Sequence, residues 1–306
     1  MITILFAALP NRWVEYEIPL RRAFAAQDLD VNLVLEADPA DVDYIIYAPN
    51  SDVQDFRPYT RCKAVLSLWA GVETIVGNKT LTQPLSRMVD PSLTQGMVEW
   101  VTGHVLRHHL GMDAHITARP GDWMPSAPPV AWDRKITILG LGELGGACAT
   151  ALAGIGFDVH GFATGLKTLS NITCHTDLTV ALKDAHGVVL LLPDTPATEN
   201  ILNADALSML APGAFVLNPG RGPLIDDAAL IDALKTGHIG HATLDVFRSE
   251  PLPETDPYWH LPNVTVTPHI ASETRPKWAS GSIATNIRGF EDGKPLMHLV
   301  DRARGY

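Results

Sequence analysis

The sequence lacks the features that characterise membrane proteins and secreted, disulfide-bonded domains. No apolar run reaches the length of a transmembrane helix. The first apolar stretch, Ile2 to Leu9, predicts a strand and not a signal peptide, because no basic residue precedes it and no small-residue cleavage pattern follows it. The three cysteines, Cys62, Cys148 and Cys174, are widely spaced and odd in number, so we expect no disulfide framework and a reducing, cytoplasmic location.

Positive charge is also scarce. The 306 residues include 23 Lys and Arg against 34 Asp and Glu, a net charge of −11, and the basic residues form no run. Nucleic acids and anionic membranes both require clustered positive charge, so neither is expected as a partner. Internal repeats and low-complexity segments are absent too. At 46% hydrophobic and 19% charged residues, the composition is ordinary for an α/β enzyme, and the length is sufficient for two domains.

What the sequence does contain is a glycine-rich turn near its middle, in the stretch Lys135–Gly146 (KITILGLGELGG). An apolar strand leads into Gly140-x-Gly142-x-x-Gly145, and a helical run of small and apolar residues follows, up to Gly156. The first glycine permits a tight turn, the second lets the backbone approach a pyrophosphate, and the third lets helix and strand pack closely. Because strand, turn, helix and a second strand occur in this order, the motif predicts a dinucleotide site at the helix N-terminus.

Strand and helix signals alternate along nearly the whole chain, which predicts an α/β protein with parallel sheets. The first hundred residues indicate a small open sheet, with a helix starting at Pro19. A βαβ pattern runs from Lys135 to a last strand, Val264 to Val266. The final thirty or so residues follow the completed nucleotide fold, so a return to the first domain is an open possibility.

A long helix is predicted from about Leu93 to Ile116, after an Asp90-Pro91 start. His104 and His108 share a face of this helix. No glutamate lies between them in the metalloprotease arrangement and no third ligand is evident, so we interpret them as packing or surface residues and expect no metal site.

Three short motifs, NPGRG, DVFRSEP and TPHIA, follow the last three predicted strands. In a parallel sheet these strand ends lie on the same edge as the glycine-rich turn. Arg221, Glu250 and His269 should therefore converge beside a bound nicotinamide. Carbonyl reduction needs such a set: a cation that holds a carboxylate and polarises a carbonyl, and an acid that protonates the forming alkoxide. A carboxylate beside the histidine favours its protonated form. Each residue alone has an ordinary interpretation, and the combination points to catalysis.

The motifs GLGELGG, NPGRGPLID, LDVFRSEPLP and TPHIA resemble, in order and spacing, the D-isomer-specific 2-hydroxyacid dehydrogenase family over nearly the whole chain. SLWAGVE, QGMVEWV and the TRP after TPHIASE are similar to its glyoxylate/hydroxypyruvate reductase A type. The resemblance implies His269 as proton donor, Glu250 as its partner and Arg221 as anchor of the substrate and its carbonyl.

The resemblance also implies two doubly wound parallel-sheet domains. A Rossmann-type dinucleotide-binding domain (97–273) is inserted in a flavodoxin-like substrate domain (1–96 and 274–306), and a hinged cleft separates them. Homodimers are common in the family. The expected substrate-binding residues are Tyr47, Trp69, Ala70, Gly71 and Val72. The expected cofactor-binding residues are Gly140, Gly142, Glu143, Leu144, Gly145, Thr164, Lys167, Pro193, Asn218, Pro219 and Asp245.

The sequence departs from NAD-preferring relatives after the second nucleotide strand. Those relatives carry an acid there that binds the ribose hydroxyls, whereas this chain has no acid between Asp158 and Asp177. Thr164 and Lys167 are suited to a 2′-phosphate by hydroxyl and charge, although the arginines of many NADP-using relatives are absent. NADPH is therefore the expected cofactor, with NADH as the alternative.

The expected function is NADPH-dependent reduction of a small 2-oxo acid, glyoxylate to glycolate or hydroxypyruvate to D-glycerate. One alternative is an NAD(P)-dependent dehydrogenase for a larger 2-oxo acid, since the sequence does not size the pocket. Another is a non-catalytic, cofactor-sensing protein. That protein should have lost the catalytic trio or gained interaction tails, and this chain shows neither.

Overall fold

The computed structural model describes residues 1–306 and divides them into two units. One unit contains Met1–Leu93 and Glu273–Tyr306, and the other contains Thr94–Ser272. Each unit has its own sheet, and all strand pairs within both sheets are parallel. The predicted fold class, two doubly wound α/β domains, is confirmed.

The sheet of the first unit has five strands. They are β1 (Ile2–Ala7), β2 (Val31–Val34), β3 (Tyr44–Tyr47), β4 (Ala64–Ser67) and β5 (Leu85–Ser86). Their order, β2-β1-β3-β4-β5, is that of flavodoxin-like sheets. β3 and β4 are buried along their whole length, because helices and loops cover both faces of the sheet.

Helix α1 (Pro10–Ala26) begins nine residues before the predicted start at Pro19, which lies inside the helix. Pro10 occupies the first turn, where a missing N–H costs nothing. Tyr16, Leu20 and Phe24 recur every fourth residue and are buried on both sides of Pro19. Their burial offsets the roughly 3 kcal/mol that an interior proline costs a helix. The short helix α2 (Glu73–Val76) lies between β4 and β5.

Helix α3 (Pro91–His109) starts as predicted. The Asp90 Oδ1 atom accepts hydrogen bonds from the backbone N–H of Ser92 at 2.8 Å and of Leu93 at 3.1 Å. The helix does not continue to Ile116. Gly111 adopts a left-handed conformation with φ +62°, and a separate short helix, α4 (Met112–Ile116), follows it.

The sheet of the second unit has seven strands in the order β12-β11-β10-β9-β6-β7-β8. They are β6 (Lys135–Leu139), β7 (Asp158–Phe162), β8 (Ile172–His175), β9 (Gly187–Leu190), β10 (Ala214–Asn218), β11 (Ile239–Leu244) and β12 (Val264–Val266). The strand order reverses between β6 and β9, which is the arrangement of a Rossmann sheet. Dinucleotides bind at this reversal in such folds.

Four helices connect strands of this sheet: α5 (Glu143–Ile155), α6 (Leu178–Leu182), α7 (Ala204–Ser208) and α8 (Asp227–Thr236). The side chains of Asp177, Asn203 and Asp226 accept hydrogen bonds from first-turn N–H groups and begin α6, α7 and α8. The chain then returns to the first unit with α9 (Pro276–Glu291), which packs against α1. No helix has both the length and the apolar character that a membrane crossing requires.

Candidate active site

The glycine-rich turn joins β6 to α5. Two of its glycines are closely packed against backbone atoms, and a third faces open space. Gly140 has φ +103°, and a Cβ atom there would lie 2.5 Å from the carbonyl oxygen of Leu191. A Cβ atom on Gly145 would lie 1.8 Å from the carbonyl oxygen of Gly140. A Cβ atom on Gly142 would meet nothing within 4 Å, and no side chain caps α5 at this residue. The turn is thus closely packed on its protein side and open where a pyrophosphate would approach the helix.

The next two predicted cofactor-binding residues, Glu143 and Leu144, form the first turn of α5. Glu143 is exposed and Leu144 is half-buried. Thr164 and Lys167 lie in an exposed loop just after β7, the neighbour of β6. Both side chains therefore lie near the carboxyl edge of the sheet and are open to solvent.

Pro193 follows the end of β9, Asn218 is the last residue of β10 and Pro219 comes directly after it, all on the same edge of the sheet. Pro193 is half-buried, and its carbonyl oxygen accepts a hydrogen bond from Thr198 Oγ1 at 2.7 Å. Asn218 is 1% exposed. Its amide donates to the carbonyl oxygen of Arg221 at 2.9 Å and accepts from the N–H of Gly220 at 3.1 Å. The Asn218 side chain thus fixes the turn that carries Arg221.

Arg221 is half-buried, and its guanidinium donates a 2.7 Å hydrogen bond to the carbonyl oxygen of Gly220. The next residue, Gly222, is pressed against the segment that leads to Glu250. A Cβ atom there would lie 2.1 Å from the carbonyl carbon of Phe247. Arg248 donates to the carbonyl oxygen of Ile225 at 2.8 Å. The loops after β10 and β11 are therefore packed against each other.

His269 and Glu250 are in direct contact, although they follow different strands. The His269 Nδ1 atom lies 2.7 Å from Glu250 Oε2, and the other carboxylate oxygen accepts a 2.9 Å hydrogen bond from the backbone N–H of Phe247. The side chains of His269 and Glu250 are 54% and 35% exposed, so solvent reaches the pair. Because Nδ1 is used by the carboxylate, the Nε2 atom of His269 is the nitrogen left to face a substrate.

The backbone of His269 is held by Asp245, which lies at the end of β11 and is 1% exposed. Its Oδ1 atom accepts hydrogen bonds from Thr267 Oγ1 at 2.6 Å and from the N–H of Ile270 at 2.9 Å. Its Oδ2 atom accepts from the N–H of Ala271 at 2.9 Å, and its carbonyl oxygen accepts from the N–H of His269 at 2.8 Å.

His269 itself has φ +55°, a conformation that costs a non-glycine residue about 1–3 kcal/mol. The bonds from Asp245 on both sides of it keep this residue in place. The family resemblance implied Asp245 as a cofactor-binding residue, and the sequence pointed to no role for Thr267. The hydroxyl of Thr267, two residues before the histidine, was the available signal.

The predicted substrate-binding residues belong to the first unit. The segment Trp69–Val72 follows β4 and precedes α2. Trp69 is 40% exposed, and its N–H and carbonyl oxygen are both hydrogen-bonded to Ser67 Oγ at 3.0 Å. Tyr47 is 1% exposed and packs edge-on against Phe56, so its ring belongs to the core of this unit. Burial raises the pKa of Tyr47.

Comparison with known proteins agrees with this geometry. A family model described as "D-isomer specific 2-hydroxyacid dehydrogenase, NAD binding domain" matches residues 103–271, more than half of the chain. The chain belongs to the D-isomer specific 2-hydroxyacid dehydrogenase family. A member named glyoxylate/hydroxypyruvate reductase A, from Serratia proteamaculans, is 36% identical over 257 residues, which are 80% of this chain and 82% of that protein.

Solved structures of the family superpose along the whole chain. One is a D-isomer specific 2-hydroxyacid dehydrogenase from Xanthobacter autotrophicus Py2 in complex with NADPH and MES. It has a TM-score of 0.92 and 37% identity, and the match covers 100% of this chain and 99% of that one. Another is an NADPH-dependent glyoxylate/hydroxypyruvate reductase from Sinorhizobium meliloti in complex with NADP and sulfate. It has a TM-score of 0.86, 31% identity and the same coverage.

Proposed function

We propose that this protein reduces a small 2-oxo acid, glyoxylate or hydroxypyruvate, to the corresponding 2-hydroxy acid with NADPH. The observation that carries the proposal is the 2.7 Å contact between His269 Nδ1 and Glu250 Oε2. It lies on the same edge of the sheet as the glycine-rich turn, so an acid stands where a nicotinamide-dependent reduction needs one. The names of the Serratia and Sinorhizobium relatives support the substrate class.

The second unit has the features that a bound dinucleotide requires. Gly142 leaves open space at the start of α5, and the uncapped N–H groups there suit a pyrophosphate. Thr164 and Lys167 are exposed where a 2′-phosphate would lie, and no carboxylate follows β7 to repel it. The Xanthobacter and Sinorhizobium structures contain NADPH and NADP respectively. When bound, the cofactor supplies the hydride for C2 of the substrate.

Four side chains of this unit serve the other needs of the reaction. His269 delivers a proton from Nε2 to the substrate oxygen, while Glu250 holds the ring through Nδ1. Arg221 presents a planar pair of N–H donors that grips the substrate carboxylate and polarises its carbonyl. Asp245 positions the loop that carries His269, and its predicted contact with the nicotinamide remains a proposal.

The first unit is proposed as the substrate domain and the second as the dinucleotide-binding domain. The backbone of Trp69–Val72 would bind the substrate carboxylate, since it lies at the carboxyl end of β4, where open α/β sheets bind ligands. Tyr47 would act from within the core, by shaping the β3 end of that site.

A homodimer in the cytoplasm is part of the proposal. The segment after α3 carries large apolar side chains that this unit does not cover: Ile116 is 72% exposed, Trp123 89% and Trp132 72%. Exposed apolar surface of this kind marks protein contact sites, and a second copy of the chain is the proposed partner. Light scattering should give twice the mass of one chain, and replacing Trp123 with Ser should weaken the association. All three cysteines are free, which suits a reducing compartment.

The direct test is NADPH oxidation measured against a panel of 2-oxo acids that runs from glyoxylate and hydroxypyruvate to aromatic members. The highest kcat/KM should fall on the two small acids. A maximum on a large acid would support the alternative substrate class. Turnover with none of them, despite tight NADPH binding, would support a cofactor-sensing protein.

The His269→Ala variant connects any activity to the site. Its kcat should fall by about 10²–10⁴-fold, because the proton donor is lost, and its NADPH affinity should stay unchanged. Near-normal turnover in this variant would remove the proposed mechanism.

A further inference from the structure

A group of metal-ligand side chains lies in the second unit, apart from the catalytic trio. His108 comes from the last turn of α3, Asp113 from the first turn of α4 and His241 from β11. One ring nitrogen of each histidine and one carboxylate oxygen lie within 4.8 Å of one another, and all three residues are half-buried. Two consecutive helices and a strand far along the chain therefore bring two imidazoles and a carboxylate to one point.

Both imidazole rings are oriented by threonine hydroxyl groups from the sheet. The His108 Nε2 atom is hydrogen-bonded to Thr243 Oγ1 at 2.8 Å, and the His241 Nε2 atom to Thr265 Oγ1 at 3.0 Å. In metal sites, a hydrogen bond at one ring nitrogen fixes the orientation of the ring and leaves the other nitrogen for the ion. The two rings lie with their centroids 4.3 Å apart.

The carboxylate of Asp113 likewise has one oxygen bound to a neighbouring side chain and one that faces the histidines. Its Oδ1 atom receives a 2.6 Å hydrogen bond from Nε of Arg107, which orients the group. Its Oδ2 atom lies 3.9 Å from the Nδ1 atom of His241, too far for a hydrogen bond. Ligand atoms about 2.1 Å from a tetrahedral Zn²⁺ lie roughly 3.4 Å from one another. The 3.9 Å pair would have to close by about 0.5 Å, and any pair near the 4.8 Å limit of the group by up to about 1.4 Å, to reach that distance.

Packing alone explains part of this arrangement, since the two half-buried rings lie against each other with an angle of 36° between their planes. It does not explain why a carboxylate oxygen faces the same point. The Oδ2 atom of Asp113 and the Nδ1 atom of His241 thus face each other at 3.9 Å without a direct hydrogen bond.

We propose that His108, Asp113 and His241 bind one divalent first-row transition-metal ion of the Zn²⁺ type. Two imidazoles and a carboxylate are ligands that such ions accept, and water would complete the coordination. The ion would connect the end of α3 and the start of α4 to β11, across the break at Gly111. Its role would be structural: it fixes the beginning of the exposed segment that follows α4.

The test uses the purified, full-length chain after treatment with EDTA. Binding of Zn²⁺ is measured by calorimetry, and binding of Co²⁺ by its visible absorption, which reports nitrogen and oxygen ligands directly. The unmodified protein should bind one ion per chain, and the ion should raise its melting temperature. Asp113→Asn and His241→Gln should each weaken binding at least tenfold. Thr243→Val should weaken it about 10- to 100-fold, because it releases one ring.

The chain offers a matched control in a second histidine and aspartate group. His160 Nδ1 is hydrogen-bonded directly to His175 Nε2 at 2.8 Å, and Asp158 lies at the opposite nitrogen of His160, at 3.3 Å. This linear arrangement has no common point for an ion. His175→Gln should therefore bind Zn²⁺ and Co²⁺ as the unmodified protein does.

Three results would overturn the proposal. One is the absence of stoichiometric binding to the unmodified chain at micromolar ion. Another is unchanged binding in Asp113→Asn, which alters a partly exposed side chain and should fold normally. The third is loss of binding in His175→Gln, which would place the ion at the other histidine group.

Discussion

Replacing Asp245 with asparagine should disturb His269, the proposed proton donor, through the residues on either side of it. In the protein, the buried carboxylate accepts three hydrogen bonds, from the hydroxyl of Thr267 and from the N–H groups of Ile270 and Ala271. These residues lie on both sides of His269, whose backbone has φ +55°. The carboxylate therefore maintains a conformation that the histidine alone would not favour.

The expected magnitude follows from the geometry. Asparagine keeps one oxygen, which can face Thr267 and Ile270, and puts an NH₂ group against the N–H of Ala271. One charge-assisted bond is lost, worth about 1.5–3 kcal/mol, and a buried donor remains without an acceptor. We expect a loss of about 3 kcal/mol in the stability of this unit, or roughly 6–12 °C in its melting temperature. Misplacement of the histidine by about 1 Å should lower kcat by about 10²-fold.

The assay combines thermal unfolding, kcat at saturating NADPH and glyoxylate, and the NADPH dissociation constant. Thr267→Val is the matched variant, because it removes one of the three bonds and leaves both N–H contacts of Asp245 intact. It should cost about 1 kcal/mol and reduce kcat far less. Both variants should bind NADPH with nearly unchanged affinity.

Two outcomes would refute this reasoning. If Asp245→Asn keeps its melting temperature and its kcat, the carboxylate does not hold the loop. If the variant remains stable but binds NADPH much more weakly, the carboxylate acts on the cofactor, as the family resemblance implied.

Three further predictions concern other parts of the chain. Arg221→Lys should lower kcat/KM by about 10²-fold for every 2-oxo acid and leave the affinity for NADPH unchanged. If the variant instead binds NADPH more weakly and turns over normally at saturating NADPH, Arg221 binds the cofactor and not the substrate. In the unmodified protein, kcat/KM should favour NADPH over NADH by about tenfold or more. Thr164→Asp should reduce or reverse this ratio, and Lys167→Ala should lower kcat/KM for NADPH alone. A preference of the unmodified protein for NADH would contradict the roles assigned to Thr164 and Lys167. Burial alone would raise the pKa of Glu291, but the 2.6 Å contact with Lys63 contributes to a net lowering of that pKa. A carboxyl group whose pKa is lowered by folding stabilises the protein at pH values above its unfolded-state pKa. The melting-temperature difference between Glu291→Gln and the unmodified protein should therefore shrink as the pH falls from 7 towards 3, and a constant difference would contradict it.

Much of the fold was predictable because its signals are local. Asp177, Asn203 and Asp226 are residue types that commonly precede a helix, and each accepts hydrogen bonds from the first turn of the helix that follows it. The start of α1 was not predicted, because a proline usually begins or breaks a helix. At Pro19 the burial of a stripe of side chains outweighs this preference. The end of α3 was missed because the apolar pattern continues past Gly111, whereas the backbone turns there.

The candidate site was predictable where the topology of a parallel sheet decides it. Arg221, Glu250 and His269 follow three strands that turned out to be neighbours, and the contact between the last two is present. The resemblance supplied their roles, which kinetics must still test. The bonds between Asp245 and the loop around His269 were not predictable. A short motif shows that an acid is present, but not whether its oxygens face a ligand or the protein's own N–H groups.

The histidines of α3 show most clearly that a local sequence pattern does not reveal which residues pack together. Helical spacing placed His104 and His108 on one face, and this local signal was the only one that the sequence offered. In the structure, the ring of His104 packs against Trp100, and His108 turns instead to the sheet. Its neighbour His241 comes from β11, and strand register, which no local pattern encodes, sets that proximity. A search for ligands along one helix therefore could not find His241, because the group is assembled between two consecutive helices and a strand. Metal sites of this kind become visible only once the packing of the elements is known.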